Sequence, residues 1–464
     1  MSNSLITLFC GAGGLDLGFH MTKNVDLIMA NEILEAPSTS YSKNLKLPLV
    51  PMEEFSGEKS AVVRGDVQEF NFEIIENKNT DIVVGGPPCQ DFSVLRGKNK
   101  RQGIEVTRGK LYSHFVRALV HIQPKVFVFE NVPGLITAND GEAYKVISND
   151  FQEMSLRWKE VKKLMENGSN NKIEGYEIIF SSIVKMTDLG VPQSRRRLII
   201  IGIRKDLISD VGELSQLKYA VEKILKGADS SFPTYPLTPI EVLEGKTLDN
   251  LAEDYKEIMK SYDNIWSDLN NSPDALKWKN TRWNKLSFDI FEDYKSLNKI
   301  KNFSEEGLEN ALQEHKDVLK MLGYYNKPLE SVNFPDDSNI LPNEQKRVTE
   351  RMKRIPPGAN YQIVLGTEWQ VKGLMSGVYR RIHPIIPSPT VIAYGGGGTW
   401  GYHYRWERAV MTNRERARLQ TFPDWYLFDG SRQDVRAQIG EAVPPRSSYK
   451  IAQAVEEAMK LLKN

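Results

Sequence analysis

The sequence feature that most constrains the fold is a short apolar run that ends in glycines and prolines, Asp81-Ile-Val-Val-Gly-Gly-Pro-Pro-Cys89. Three consecutive β-branched residues predict a short buried strand, and the two glycines end it. The prolines stiffen the exit and place Cys89 at the carboxyl end of the strand. Because ligands bind at that edge of an open α/β sheet, Cys89 is a candidate nucleophile. An inert buried cysteine is the alternative interpretation.

Further apolar runs predict strands, and helical patterns separate several of them. The runs are Ser4–Cys10, Val25–Ala30, Lys125–Phe129, Tyr176–Val184 and Leu198–Ile203. The segment Leu111–Gln123 has the apolar spacing of a helix and lies between two predicted strands. Short strands that alternate with helices are typical of an α/β fold.

Length and composition limit the number of domains and the kinds of partner. At 464 residues the chain exceeds the usual size of a single core, so we expect two domains. The net charge is only +1, so any surface for nucleic acid must come from local clustering of Lys and Arg. Cys10 and Cys89 are the only cysteines, so neither a disulfide framework nor a metal site is expected. The chain shows neither a signal-peptide pattern nor a membrane-spanning run, which predicts a cytoplasmic protein.

A glycine-rich loop follows the first predicted strand, and an acid follows the second. The loop Gly11-Ala-Gly-Gly14, with Gly18 beyond it, lacks the G-x-G-x-x-G spacing of dinucleotide-binding proteins. We expect its glycines to let a ligand approach and a helix pack on a strand. Glu32 stands where a Rossmann-like fold holds the hydroxyls of a ribose. Alone, each feature is also consistent with an ordinary turn or a solvated acid; together they favour an adenosine-containing cofactor, with Asp66 as a weaker candidate for an adenine contact.

The segment that follows Cys89 is strongly basic. Between Leu95 and Arg117 the only acid is Glu105, and the net charge is about +6. The cations are Arg96, Lys98, Lys100, Arg101, Arg108, Lys110 and Arg117. A local excess of this size suits a phosphate backbone, and the glycines of the segment suggest a loop that moves. A solvated charge run is the alternative, but the position directly after the candidate nucleophile favours nucleic-acid binding.

Two further strand ends carry charged side chains. Glu130 follows Val-Phe-Val-Phe129, so it should lie at the same sheet edge as Cys89, partly buried and available as a proton donor. Arg195 and Arg197 would point the same way in an extended segment, and Arg196 the opposite way. Two guanidiniums on one face suit a carbonyl or phosphate target. An exposed acid and a solvated basic turn are the alternatives.

The chain changes character from about Asp206 to Val378, where it is polar, rich in Lys, Glu, Asn and Trp, and mostly helical in pattern. This segment predicts a large insertion or a second domain. Beyond it, Ser388–Tyr394 predicts a strand that runs into four glycines, Gly395–Gly398.

Taken together, these stretches resemble the DNA (cytosine-5) methyltransferase family of the bacterial restriction-modification type. The matching motifs occur in the family's order and are Leu8-Phe-Cys-Gly-Ala-Gly-Gly14 with Gly18-Phe19, Gly86-Pro-Pro-Cys-Gln90 with Phe92-Ser93, Glu130-Asn-Val132, Gln193-Ser-Arg-Arg-Arg197, Pro389-Thr390 with the glycine run, and Gly440 with Ala442-Val-Pro-Pro445. They cover roughly the first 204 and the last 85 residues. The segment between Arg197 and Arg380 falls where the family carries its target-recognition region.

The resemblance implies the fold of a class I S-adenosylmethionine-dependent methyltransferase. This is a Rossmann-like α/β fold, with a mostly parallel sheet, helices on both faces and a smaller target-recognition domain. Residues 1–204 and 436–464 would form a discontinuous catalytic domain, and residues 205–435 the target-recognition domain and hinge. We expect a monomer that binds double-stranded DNA between the domains, with any cognate endonuclease acting separately.

The resemblance also implies a site for S-adenosylmethionine over the glycine loop, with the ribose on Glu32 and the adenine near Ile33 and Asp66. The implied cofactor-binding residues are Phe9, Gly11, Gly13, Gly14, Leu15, Glu32, Ile33, Asp66, Val67, Pro87, Leu111, Glu441 and Ala442. Glu441 stands where the family usually has asparagine, which puts one cofactor contact in question.

The implied reaction begins with addition of the Cys89 thiolate to carbon 6 of a flipped-out cytosine. Protonated Glu130 would bind ring nitrogen 3, and Arg197, with Arg195 nearby, would bind the carbonyl oxygen on carbon 2. The implied DNA-binding residues are Ser93, Arg96, Lys98, Lys100, Arg101, Arg108, Arg380 and Arg381. Asp91 departs from the family pattern and would place a negative charge near the DNA.

Three other interpretations remain open. A tRNA cytosine-5 methyltransferase carries the same motifs, but the large segment between Asp206 and Val378 favours duplex DNA. A catalytically silent DNA-binding relative is disfavoured by the intact Cys89 and Glu130. A dinucleotide oxidoreductase is disfavoured by the spacing of the glycine loop.

Overall fold

The computed structural model describes residues 2–76, 78–88, 111–154, 174–371, 378–393 and 401–462. The chain divides into two units. The first comprises residues 1–185, 196–229 and 442–464, and the second comprises residues 186–195 and 230–441. These boundaries differ from the expected ones at 204 and 436. The first unit extends to 229 because the helix Val211–Leu225 packs against the C-terminal helix and against Tyr176–Lys185, a strand at the edge of the sheet.

In the described residues, the first unit is built on one eight-stranded sheet. Its strands are β1 (Asn3–Leu8), β2 (Val25–Glu32), β3 (Leu49–Pro51), β4 (Ala61–Arg64), β5 (Ile82–Gly85), β6 (Val126–Asn131), β7 (Tyr176–Lys185) and β8 (Arg196–Arg204). They lie in the order β3-β4-β2-β1-β5-β6-β8-β7. Only β8 runs antiparallel to its neighbours, β6 and β7. The prediction of a mostly parallel α/β sheet is therefore confirmed.

Helices cover both faces of this sheet. They are α1 (Gly14–Thr22), α2 (Glu35–Leu45), α3 (Leu111–Ile122), α4 (Glu142–Glu153), α5 (Val211–Leu225) and the C-terminal helix (Pro445–Leu461). On one face, Phe115 of α3 and Phe151 of α4 pack against Phe127 and Phe129 of β6. Helix α1 lies on the opposite face with the C-terminal helix. Strand side chains that alternate between two apolar layers account for the almost continuous apolar runs of the sequence.

A glycine is required at position 18 for a different structural reason from the one we expected. A Cβ atom added at Gly18 would lie 2.2 Å from the carbonyl carbon of Ser448 in the C-terminal helix. The glycine therefore allows two helices to approach each other, rather than a helix to pack on a strand.

The second unit is mainly helical, as predicted. Its helices are α6 (Pro239–Glu244), α7 (Ala252–Lys260), α8 (Ile265–Asp268), α9 (Pro273–Thr281), α10 (Ile290–Leu297), α11 (Glu305–Met321), α12 (Lys346–Lys353), α13 (Asn413–Leu419) and α14 (Arg432–Glu441), so the C-terminal helix is α15. Within the described ranges, no strand forms at 388–393, where Ser388 makes only an isolated bridge to Gln193. The rest of that predicted strand lies outside the described residues. None of the described helices has the length and apolar character needed to cross a membrane.

Candidate active site

A buried ion pair lies where β6 ends and β8 begins. The antiparallel pairing sets Glu130 opposite Ile199 and Asn131 opposite Leu198, so Arg197 lies beside the end of β6. Oε1 of Glu130 is 2.8 Å from Nε of Arg197, and the two side chains are 12% and 15% exposed. Burial lowers the pKa of Arg197, and the Glu130 carboxylate opposes that shift. The structure thus brings together two of the predicted catalytic side chains at one sheet edge.

The loop that leads to Cys89 begins against this ion pair. A Cβ atom added at Gly86 would lie 2.8 Å from Oε2 of Glu130, so a larger residue would displace the carboxylate. Nδ2 of Asn131 donates to the carbonyl of Pro87 at 3.5 Å, and Oδ1 of Asn131 accepts from the Val132 N–H at 2.7 Å. Asn131 therefore links β6 to the loop. Sequence reasoning quoted Asn131 within a motif but assigned it no role.

Several predicted side chains lie outside the described residues. These are Cys89, Asp91, Ser93, Arg96, Lys98, Lys100, Arg101, Arg108 and Lys110. Pro88 is the last described residue before them, and it is exposed. The described residues 86–88 therefore show only where the loop that carries Cys89 leaves β5.

The glycine loop is held by the carboxylate of Glu32. Oε2 accepts from the Gly11 N–H at 2.8 Å, and Oε1 accepts from the Leu34 N–H at 2.9 Å. Strand β1 ends at Leu8, two residues earlier than predicted, because Phe9 has a φ of 56° and leaves strand geometry. Gly11 follows with a φ of 55°. These backbone bonds fix the orientation of an acid at the tip of β2.

The glycines of the loop are also required by close packing. A Cβ atom at Gly13 would lie 2.6 Å from the Tyr41 ring of α2. One at Gly14 would lie 2.4 Å from the carbonyl oxygen of Val443, beside Ala442. Leu15, the next residue, is buried. The loop is therefore confined between α2 and the segment that precedes α15.

An apolar surface lies next to Glu32. Ile33 is 57% exposed and Leu34 is 56% exposed, although both are apolar. Asp66 follows β4, which pairs with β2, and its carboxylate accepts from the backbone and the side-chain amide of Gln68. Val67 is buried beside it. Sequence reasoning missed Leu34; the signal available was a second apolar residue directly after the strand-end acid.

A second acid lies buried below the glycine loop. Asp16 is in the first turn of α1, and burial raises the pKa of its carboxyl to about 7, opposed by the hydroxyls of Thr7 and Tyr41. Burial also raises the pKa of the Cys10 thiol, and the nearby Asp16 and Glu32 add to that shift. Asp16 was not predicted, although its apolar neighbours on both sides indicated burial.

Arg195 does not have the position that the extended-segment argument assumed. Strand β8 begins only at Arg196, and the Arg195 N–H donates to the Gln193 carbonyl in a tight turn. Its buried guanidinium donates to the carbonyls of Val391 and Gly440, each at 3.0 Å. These main-chain bonds within the second unit give Arg195 a structural role. The expectation that it binds the base is not supported by this geometry.

Arg381 is also structural, and its assignment to DNA binding is wrong for the same reason. The side chain is fully buried, and it donates to the carbonyls of Ile355, Met352, His403, Arg405 and Arg408. A guanidinium satisfied by five carbonyls has no group left for phosphate. Arg380, by contrast, is exposed and remains a candidate.

Two other predicted positions are at the ends of elements. Leu111 begins α3, and Glu441 ends α14 with an exposed side chain. Arg117, counted above in the basic segment, is buried on α3 and so does not contribute to a DNA-binding surface.

A mostly parallel sheet with a glycine loop, a strand-tip acid and an edge ion pair defines an α/β enzyme of the class I methyltransferase fold. A family model described as C-5 cytosine-specific DNA methylase matches residues 4–457. This chain therefore belongs to the C-5 cytosine-specific DNA methylase family, and it is a DNA (cytosine-5-)-methyltransferase.

Individual relatives agree with this assignment. The chain is 50% identical to DNA (cytosine-5-)-methyltransferase M.ApeKI of Aeropyrum pernix over 98% of both chains. It is 30% identical to type II methyltransferase M.NgoFVII of Neisseria gonorrhoeae, over 97% of this chain and 86% of that one. A solved DNA modification methyltransferase encoded within an E. coli prophage has a TM-score of 0.57 at 23% identity, covering 99% of this chain and 100% of that one, which shows a shared fold.

Proposed function

We propose that this enzyme transfers the methyl group of S-adenosylmethionine to carbon 5 of a flipped-out cytosine in duplex DNA, through a covalent adduct with Cys89. The observation that carries the proposal is the Glu130–Arg197 pair, 2.8 Å apart, against Gly86 at the base of the Cys89 loop. An acid and a guanidinium beside a cysteine loop are the groups that this reaction requires. Protection of host DNA from a cognate endonuclease is part of the proposal, supported by the type II names of the relatives.

The chemistry explains why these residue types are needed. Carbon 5 of cytosine is a weak nucleophile, and addition of the Cys89 thiolate to carbon 6 makes carbon 5 electron-rich. Glu130 must be protonated for this step: its carboxyl would then donate a proton to ring nitrogen 3 and neutralise the charge that the addition creates. After methyl transfer, a base removes the proton on carbon 5, the double bond re-forms as the thiolate of Cys89 leaves carbon 6, and the proton on ring nitrogen 3 returns to Glu130.

Arg197 is suited to orient the base. Its Nε faces Glu130, and its Nη1 donates to the Arg196 carbonyl at 2.8 Å. Within the described residues, Nη2 of Arg197 makes no hydrogen bond. We assign this nitrogen to the carbonyl oxygen on carbon 2 of cytosine. The ion pair would then hold the acid and the donor at a fixed spacing, which favours a single orientation of the ring.

The residues around Glu32 fit S-adenosylmethionine. A carboxylate has about four acceptor positions, so the two backbone bonds that fix Glu32 are compatible with ribose hydroxyls. Ile33 and Leu34 supply an exposed apolar surface for the adenine, and the tight loop from Gly11 to Gly14 allows close approach of the main chain. The bound cofactor supplies an electrophilic methyl group on a sulfonium.

The second unit is the proposed target-recognition domain. Most of it, residues 230–441, follows Cys89, Glu130 and Arg197 in the chain; it is mainly helical, and Arg380 is exposed on it. The target cytosine must leave the base stack to reach Cys89, which costs a few kcal/mol. We propose that the basic loop after Cys89 closes over the flipped nucleotide, with Ser93 on a phosphate.

The decisive experiment combines methyl transfer with adduct trapping. Cys89→Ser should abolish transfer of labelled methyl to DNA while leaving cofactor binding nearly intact. DNA that carries 5-fluorocytosine should accumulate a covalent complex with the wild-type enzyme, because fluorine on carbon 5 cannot leave as a proton. The Cys89→Ser enzyme should form none. Retained transfer by that variant would remove Cys89 from the mechanism, and transfer to tRNA instead of DNA would overturn the proposed substrate.

A further inference from the structure

Arg117 on α3 directs its guanidinium into the protein rather than towards solvent. The residue is only 4% exposed. Nη1 donates to the carbonyl of Phe70 at 3.0 Å, and Nη2 donates to the carbonyls of Val67 at 2.7 Å and Gln68 at 3.4 Å. The guanidinium carbon also lies 4.7 Å from the centroid of the Phe72 ring. One side chain therefore holds three carbonyls of a single turn.

That turn belongs to the proposed cofactor site. It begins with Asp66 and Val67 at the end of β4, beside the strand that ends at Glu32. The helix that carries Arg117 begins at Leu111, another expected cofactor contact. Arg117 thus connects α3, which begins at the expected cofactor contact Leu111, with the turn that follows the expected adenine contact Asp66.

The bonding resembles that of Arg195 and Arg381, but here the three carbonyls belong to a single turn that follows Asp66. Among the described residues, Arg117 has no carboxylate partner, and burial lowers its pKa to about 10. Burying a cation without an opposite charge costs free energy that an apolar side chain would not cost. The planar guanidinium compensates by fixing the positions of several carbonyls at once, which the ammonium group of a lysine cannot do.

We propose that Arg117 is a positioning residue for the adenine side of the cofactor site. It acts through the turn from Asp66 to Phe70 and does not touch the cofactor. This inference rests on the proposed function, which places the adenine beside Asp66 and Ile33.

The test measures cofactor affinity separately from catalysis. Arg117→Met should weaken the calorimetric affinity for S-adenosylmethionine about tenfold or more, because the turn from Asp66 to Phe70 is no longer held in place. Arg117→Lys should recover part of the loss. The KM for S-adenosylmethionine should rise, while kcat at saturating cofactor and the KM for DNA stay within about twofold. Affinity for 5′-methylthioadenosine, which lacks the amino-acid part, should fall by the same factor, because only the adenosine side is affected.

Arg204 offers a matched control in the same unit. Its Nη1 donates to the carbonyl of Gln123 at 2.6 Å, and its Nε pairs with Asp206 at 2.7 Å, at the far end of β8 from Arg197. Arg204→Met should lower the melting temperature without changing cofactor affinity. If Arg117→Met lowers the melting temperature in the same way and binds the cofactor normally, the proposal is overturned. If Arg117→Met does not fold, Arg117→Lys decides: its affinities for S-adenosylmethionine and for 5′-methylthioadenosine should both fall, and wild-type affinities would overturn the proposal.

A further variant separates this inference from the proposed function. Glu32→Ala should also weaken binding of S-adenosylmethionine. If Glu32→Ala binds normally, the assignment of the cofactor site fails. If Glu32→Ala binds weakly while Arg117→Met and Arg117→Lys bind as the wild type does, only the role of Arg117 fails.

Discussion

Arg197 at the sheet edge and Arg381 in the second unit show how differently the same residue type is used. Both follow another arginine in the sequence, and both are largely buried. Arg197 pairs with one carboxylate, and its Nη2 makes no hydrogen bond within the described residues. Arg381 is surrounded by main-chain carbonyls. A guanidinium can act on a substrate only where the main chain has not already satisfied it.

The largest effect should come from the acid that pairs with Arg197. Glu130→Gln keeps the size of the side chain but removes the proton donor, so methyl transfer should slow by about 10²–10⁴-fold. The melting temperature should change little, since a glutamine can still accept from the Arg197 Nε. Single-turnover transfer to DNA measures the rate, and a wild-type rate would exclude Glu130 from proton donation.

Arg381→Met should show the opposite behaviour. Removal of the guanidinium leaves several buried carbonyls without donors, so the free energy of unfolding should fall by about 3 kcal/mol or more. Urea unfolding monitored by fluorescence gives this value. Any folded fraction should retain the wild-type kcat, and a variant of normal stability but weak DNA binding would restore the original assignment.

Asp16 offers a comparison with a buried acid that has no ion-pair partner among the residues that the structure describes. Its pKa is about 7 in the folded protein against an ordinary value of 3.8, so the folded state holds the proton more tightly. The stabilisation is complete below about pH 4 and is lost as the pH rises towards 7, by roughly 4 kcal/mol at most.

Asp16→Asn should remove this dependence. As the pH rises from 4 to 7, the free energy of unfolding of the variant should therefore increase relative to that of the wild type. Urea unfolding at a series of pH values measures the difference, and parallel curves for the two proteins would contradict the assignment.

The smallest effect should come from Arg380, the exposed neighbour of Arg381. Arg380→Gln should leave stability unchanged and weaken DNA binding several-fold, with the slope of log affinity against log salt reduced by about 0.9 if one phosphate contact is lost. Titration of labelled duplex DNA at several salt concentrations measures both quantities. An unchanged slope would show that Arg380 contacts no phosphate.

The sequence alone predicted six of the eight strands described in the sheet, all except β3 and β4, and the charged residues at their ends. Apolar β-branched runs fix short buried strands, and parallel strands end at one edge, so Glu130 and the start of the Cys89 loop were expected together. The glycine loop and Glu32 were recognised in the same way, from local pattern and motif order. These features depend on residues close in the sequence, and such local rules are sufficient for them.

Only the tertiary structure decided which arginines are available. Alternation along a strand could not place Arg195, because β8 begins one residue later and its partners, such as the Gly440 carbonyl, lie 245 residues away in the sequence. The same holds for Arg117, whose carbonyl partners are on another element. A charge is recognisable in a sequence, but its hydrogen-bond partners come from distant segments, and those partners determine whether it binds a substrate or supports the fold.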